Sequence, residues 1–195
     1  MTQKSLIDYL KQIPDFRDPH GCRHPLWLVL ILVIMGMMSG YYGYRSLGRF
    51  TERHRRALIT ELKIPNATVP SYDPLRRVMM GLDYTQLRLV FNQWALLELN
   101  LSLSEGLSVD GKSLKNTVSD YDKAQQNFMS LVSVFSQKRG LVVAVQEMEN
   151  KKVSEITVVR NLLESLDLKG YVFTIEALHC QKKLLLPSST AAMTM

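Results

Sequence analysis

The chain is poor in cysteine, with two in 195 residues, Cys22 and Cys180. That excludes a disulfide scaffold and a four-cysteine zinc site, and it fits a reducing cytoplasm. Ten glycines and seven prolines are too few for a collagen-like or low-complexity chain. No apolar core with a small-residue cleavage site follows Met1–Ser5, so no secretory signal is expected. A clean bilayer-length run is missing as well. Leu26–Met38 holds thirteen residues, LWLVLILVIMGMM, where a span needs roughly 20. Ser39 to Gly43 stretch it to a borderline length, flanked by basic residues on both sides rather than one. Its length favours a buried core helix; a membrane anchor over Leu26–Tyr44 is the alternative. Residues 81–195 also lack net charge, with twelve Lys/Arg against twelve Asp/Glu.

What is present is an ordinary globular composition, 46% hydrophobic and 22% charged, with room for one or two domains. The formal charge of +6 points to a polyanionic partner such as nucleic acid. All of it belongs to residues 1–80, which carry twelve Lys/Arg against six Asp/Glu. That asymmetry argues for two parts with different tasks, a basic amino-terminal module and a balanced remainder.

Periodicity predicts helices through the first part. Lys4–Ile13 is amphipathic and ends at Pro14, and Asp15–His24 (DFRDPHGCRH) is a polar connector. The apolar helix starts at Pro25, a residue suited to a first helical position. Tyr44–Leu62 repeats Leu47, Phe50, Leu58 and Leu62 at helical spacing. Arg45, Arg49, Arg53 and Arg56 fall at i, i+4, i+8 and i+11, one basic stripe. A solvated face with a local Glu52–Arg56 ion pair is one reading of the stripe, and DNA contact is the other. Pro65–Pro74 reads as loop, with Arg76 and Arg77 opening another helical stretch. Asp83 and Gln86 then form a capping-box pattern before a helix carrying Leu87, Val90, Phe91, Trp94 and Leu97.

From Gly106 the pattern becomes strand-like. Leu107–Asp110 reads as a short strand, and Phe128–Phe135 and Leu141–Gln146 as two more joined by a Gln137–Gly140 hairpin. Val153–Leu166 reads as a helix and Tyr171–Glu176 as a buried strand. The order β-β-β-α-β predicts an α+β protein: a helical amino-terminal domain, then a mixed sheet with a crossover helix.

Two of these strands end in acids, Asp110 and Glu176. Open sheets present their sites at the carboxyl ends of strands, and paired carboxylates can hold Mg²⁺ ions for phosphodiester chemistry. Lys112 and Lys115, beside Asp110, are candidates for phosphate contact. The His179–Cys180 and Cys22–His24 pairs read as ordinary residues rather than zinc ligands, because nothing completes a four-ligand set.

Longer stretches carry a resemblance. DFRDPHGCRHPL (Asp15–Leu26), PSYDPLRRV (Pro70–Val78), SVDGKSLKNT (Ser108–Thr117), SEI (Ser154–Ile156) and LDLKGYVFTIEALHCQKK (Leu166–Lys183) resemble H-repeat-associated transposases of the DDE superfamily, in collinear order from about residue 5 to 183. The resemblance implies a helical, basic, DNA-binding domain over 1–101 and a partial RNase-H-like catalytic domain over 106–183. It implies Mg²⁺-dependent cleavage and strand transfer of an insertion sequence. DNA, both transposon ends and target, would be the partner, at the nucleoid of a bacterial cytoplasm, and a homo-oligomer is left open. Asp110 matches the first acid, and Glu176 falls where such transposases carry the second Asp. Arg45, Arg49, Arg53, Arg56, Arg76, Arg77, Lys112 and Lys115 are the candidate DNA contacts.

Beyond Lys183 the pattern departs. Residues 184–195 read LLLPSSTAAMTM, and the codons of Ala191–Met195, taken one base earlier, permit Ser-Gly-Asn-Asp-Tyr, the run such transposases carry there. The expectation is a frameshifted tail on an inactive fragment that lacks the third acid, with an unfinished sheet edge that favours aggregation. A non-catalytic DNA-binding module is the alternative in a different functional class.

Overall fold

A computed structural model describes residues 4–99, 106–114, 117–118, 127–149, 152, 154–166, 171–175 and 193–194. The chain divides into two compact units, Met1–Phe91 and Asn92–Met195.

The first unit is helical: α1 (Leu6–Leu10), α2 (Leu26–Met38), α3 (Tyr44–Arg53), α4 (Arg55–Leu62), α5 (Tyr72–Gly81) and the start of α6 (Tyr84–Leu99). A capping box opens α1, where Ser5 Oγ accepts from the Asp8 amide and Asp8 accepts from the Ser5 amide. The helix is shorter than its periodicity predicts and ends before Lys11. α2 occupies the predicted span, with Pro25 as its extended N-cap rather than its first helical residue. Leu28, Val29, Leu30 and Leu32 are at most 2% exposed, and α2 packs against α1, α3 and α5. It is the core helix of the unit. Among the described residues no helix is long and apolar enough to cross a membrane.

Two helical predictions are corrected. Tyr44–Leu62 is not one helix but α3 and α4, broken at His54 (φ −100°, ψ 12°). Between the buried Phe50 and Leu58 the chain reads TERHRRA, so no large apolar side chain holds a continuous turn against the core. His54 instead stacks its ring 5.1 Å from that of Phe50. Likewise α5 begins at Tyr72, before Pro74, rather than near Arg76. Proline is tolerated there because first-turn amides have no intrahelical acceptor. α6 begins as predicted after Asp83, whose carboxylate accepts from the Thr85 amide at 2.9 Å.

The second unit is a mixed sheet ordered β3-β2-β1-β4-β5, from β1 (Gly106–Ser113), β2 (Met129–Ser136), β3 (Leu141–Glu149), β4 (Val172–Ile175) and β5 (Met193–Thr194). β1, β2 and β3 form an antiparallel meander through the Gln137–Gly140 turn, and β4 lies parallel to β1. Helix α7 (Glu155–Leu166) makes the crossover between β3 and β4. The fold is α+β, with the mixed sheet and crossover helix in the β-β-β-α-β order that the sequence predicts. Alternation places Leu107, Val109, Val132 and Val134 in a core with Val159, Leu162 and Leu163 of α7 and Phe173 of β4. Met193 and Thr194 pair with Phe173 and Thr174 on the outer side of β4. The opposite edge is also managed. The Asn92 side chain donates to the Val145 carbonyl and accepts from its amide, both at 3.0 Å, so α6 supplies the pairing that edge strand β3 would otherwise lack.

Candidate nucleic-acid interface and acidic site

In the helical unit, the close approach of α3 and α5 assembles a basic concavity. A side chain at Gly48 would place its Cβ 2.9 Å from the Tyr72 amide nitrogen and 3.1 Å from Tyr72 Cα, so only glycine lets the helices meet there. Thr51, 1% exposed, donates from Oγ1 to the Pro70 carbonyl at 2.9 Å and ties α3 to the segment that leads into α5. The resulting concavity of about 500 Å³ is lined by Arg45 and Arg49 from α3, Arg76 from α5, and Tyr42, Tyr44 and Tyr72. Among the described residues no acidic one lines it. The N-terminus of α3 contributes too, because Gly43 at its N-cap has no side chain with which to satisfy the first-turn amides. Helix N-termini and guanidiniums attract the same ligand, an anion.

The predicted basic residues separate into groups. Arg45, Arg49 and Arg76 come together at this concavity. Arg53 continues the stripe at the end of α3, whereas the break at His54 puts Arg56 on α4. The Glu52–Arg56 ion pair does not form among the described residues, and Arg45, Arg49, Arg53, Arg56 and Arg76 are exposed there without carboxylate partners. Arg77 differs, because it is held by Asp73 one turn earlier. Lys112 is exposed on β1, and Lys115 lies outside the described residues.

Asp110 is exposed on β1, between β2 and β4 in the sheet order. It does not end its strand as predicted: β1 stays paired with β2 to Ser113, while its parallel pairing with β4 runs to Val109↔Ile175 among the described residues. Glu176 follows Ile175 in sequence but lies outside the described residues, so register brings together the residues preceding the two acids. By alternation Asp110 points away from the face covered by α7. On that covered face a Cβ at Gly111 would lie 1.8 Å from Glu155 Oε1, so the missing side chain makes room for the first-turn acid of α7. Nothing in the sequence spacing of Glu155 signals its contact with the strand carrying Asp110.

Among the described residues no three His, Cys, Asp or Glu side chains are grouped to hold a metal. Asp110 suits Mg²⁺ as one hard oxygen donor, of the one or two carboxylates that such sites combine with substrate phosphates.

The connector Asp15–His24 is more ordered than its composition predicts. Arg17 grips the Asp15 carboxylate through Nε at 2.8 Å and Nη2 at 2.6 Å, and Nη2 also reaches the His24 carbonyl at 2.9 Å. The Arg17 hydrogen bonds hold the Asp15 carboxyl below its usual range. His24 is 8% exposed, and burial, then Arg17 and Arg23, hold its imidazole below its ordinary pKa. Its exposed neighbour Cys22 donates Sγ–H to the Asp18 carbonyl at 3.0 Å and belongs to no metal group among the described residues.

Residues 7–95 match the DDE_Tnp_1-associated family. The chain is 29% identical over 185 residues to "H repeat-associated putative transposase YhhI" of Escherichia coli K12, covering 94% of this chain and 48% of that protein. The same identity over the same length relates it to "H repeat-associated putative transposase YbfD" of that strain, covering 71% of that protein. A piggyBac transposase synaptic complex with hairpin DNA aligns with a TM-score of 0.42 at 9% identity, over 81% of this chain and 37% of that one. The chain spans about half the length of YhhI. The chain is thus similar to the H-repeat-associated transposases over nearly its whole length, and residues 7–95 carry the DDE_Tnp_1-associated match.

Proposed function

We propose that the chain acts in DNA transposition, with region 1–101 holding DNA by its phosphates and region 106–183 carrying the acids of a DDE-type site. The observation that carries this reading is the α3–α5 concavity, where Arg45, Arg49 and Arg76 converge beside an uncapped helix start with no acid among the described lining residues. Such a place suits a phosphate backbone and reads no base sequence. Arg53, Arg56, Lys112 and Lys115 extend the same sequence-independent attraction. The test is duplex binding across a salt series. Replacing Arg45, Arg49 and Arg76 by glutamine should lower the slope of log K against log salt by about 2 to 3, at roughly 0.9 per phosphate contact. An unchanged slope rejects the assignment.

In the catalytic half, Asp110 and Glu176 are the proposed carboxylates. Mg²⁺ bound by them would supply activation of an attacking oxygen and stabilisation of a leaving one. The register of β1 supports this reading by pairing Asp110 with Ser133 of β2. Glu176 is one methylene longer than aspartate, which displaces its carboxylate by about a bond length where placement within ~0.5 Å matters. We therefore propose that strand transfer by this chain is weak or absent, leaving a DNA-binding module that competes with active transposase. A nicking and strand-transfer assay in Mg²⁺ decides it: robust activity abolished by Asp110→Ala refutes inactivity. Activity gained on Glu176→Asp supports the methylene argument.

A further inference from the structure

A second concavity of the helical unit, about 940 Å³, is walled by the Asp15–His24 connector on one side and by residues of α3, α4 and α5 on the other. A single nucleotide fits that volume. Its polar groups are unevenly satisfied. Arg17 is committed to Asp15, and Arg77 to Asp73. Arg23 and Arg55 have no carboxylate partner among the described residues; Arg55 only reaches the Ala67 carbonyl at 3.4 Å. Glu52 is likewise without an ion-pair partner there. His24, in the wall, keeps a buried Nδ1 with no hydrogen-bond partner. A wall shaped for packing alone would not retain an orphaned polar atom at a cost to folding. The wall is also held firm, since Arg17 clamps both ends of the connector through Asp15 and the His24 carbonyl.

We propose that this concavity binds one nucleotide, with its phosphate on Arg23 and Arg55 and the amino edge of its base on Glu52. Guanidiniums supply the planar donors that phosphate oxygens accept, and a free carboxylate accepts an exocyclic amine. The nucleotide is either a free nucleoside monophosphate or one unit of a DNA strand. The site is distinct from the α3–α5 concavity, and the two share no lining residue.

The experiment titrates the full chain, labelled in its histidine rings, with inorganic phosphate, dAMP, dTMP, a single-stranded oligonucleotide and a blunt duplex. The His24 ring resonance is followed by NMR. Expected are saturable shifts with dAMP at least tenfold tighter than inorganic phosphate, and at least tenfold weakening in an Arg23→Gln, Arg55→Gln double variant. Both arginines are exposed, so folding should survive, and Arg23→Lys with Arg55→Lys should recover part of the affinity. Glu52→Gln should narrow the preference for dAMP over dTMP, which has no exocyclic amine. Tighter binding of the oligonucleotide than of dAMP identifies a DNA strand as the source, and equal binding identifies the free nucleotide. The Arg45, Arg49 and Arg76 variant should leave these shifts intact, so failure of the phosphate-backbone reading and failure of this one are separable. A His24 resonance unmoved by every ligand, or equal affinity for dAMP and inorganic phosphate, overturns the proposal. So does full affinity in the double glutamine variant.

Discussion

The two units position their charged groups by different physics. In the helical unit the basic cluster exists because α3 and α5 approach so closely at Gly48 and Tyr72 that arginines from separate helices face one concavity. In the sheet unit the register of β1 against β2 fixes the place and the face of Asp110. A cluster built on helix contact is sensitive to a single Cβ. An acid built on strand register is sensitive to the ladder and tolerant of what lies above it. Mutations can therefore test whether the units depend on packing and on pairing to the extents described.

The largest effect should come from the helical core. Leu28→Ala removes a side chain with no exposed surface and should cost about 2–5 kcal/mol. Hydrogen exchange should show protection lost in α2, α3 and α5 while β1 and β2 amides keep theirs; concerted loss in both units would break the division into two. Gly48→Val comes next, at about 1–3 kcal/mol, because the clash is with the Tyr72 backbone, which cannot step aside. Its distinguishing sign is weakened duplex binding although no arginine is changed. If affinity survives, the α3–α5 approach does not build the interface.

On the sheet side, Asn92→Ala strips the two hydrogen bonds that cover β3 and should cost about 1–3 kcal/mol by leaving the Val145 amide and carbonyl unmet. Urea melts, with light scattering for edge-driven association, would read it. Gly111→Ala should cost about 1 kcal/mol or less, since the obstructing atom is the end of the Glu155 side chain, which can rotate away. A loss as large as that of Gly48→Val would mean that Glu155 is fixed.

The smallest effect concerns pH. Burial depresses the His24 pKa in the folded chain below its ordinary value of about 6.5. Above that value both states are neutral and the contribution is fully present. As pH falls from 6.5 toward the folded pKa, the unfolded chain takes up the proton first, so stability declines. Thermal melts between pH 7.5 and 5.5 should show a decline that His24→Gln reduces, and a parallel decline in the variant would assign it to other groups.

Much of this architecture was legible in the sequence. The thirteen-residue apolar run could only be a core helix or an anchor, and its uniform hydrophobicity matches a helix buried all round. Leu107 and Val109 alternating with Ser108 and Asp110 announced a strand with one buried face. The β-β-β-α-β order followed from the change of period at Gly106. The break at His54 was not legible, because Arg56 keeps a helical offset from Arg45 even when the helix between them is interrupted. Nor could one sequence show that Pro74 sits inside a helix, since a first turn tolerates the residue that would end any later one. Of the tyrosines beside the arginines, Tyr42 was hidden in the extension of the apolar run, where its neighbour Tyr41 packs on Phe50 while Tyr42 stays 73% exposed. Family resemblance singled out Asp110, but its pairing with Ser133 of β2 was not legible, because register depends on contacts between distant segments.

By itself the sequence determined which segments are apolar, where the period changes, that the positive charge belongs to residues 1–80, and which acids and arginines are available. These properties are local, because hydrophobic periodicity and charge act on neighbouring residues before any long-range contact forms. Only the tertiary structure decided which arginines share a surface, that Arg77 is neutralised while Arg76 is not, and that Glu155 lies against the strand of Asp110. Those outcomes depend on contacts between segments far apart in sequence, where one missing Cβ at Gly48 or Gly111 decides how closely two elements meet.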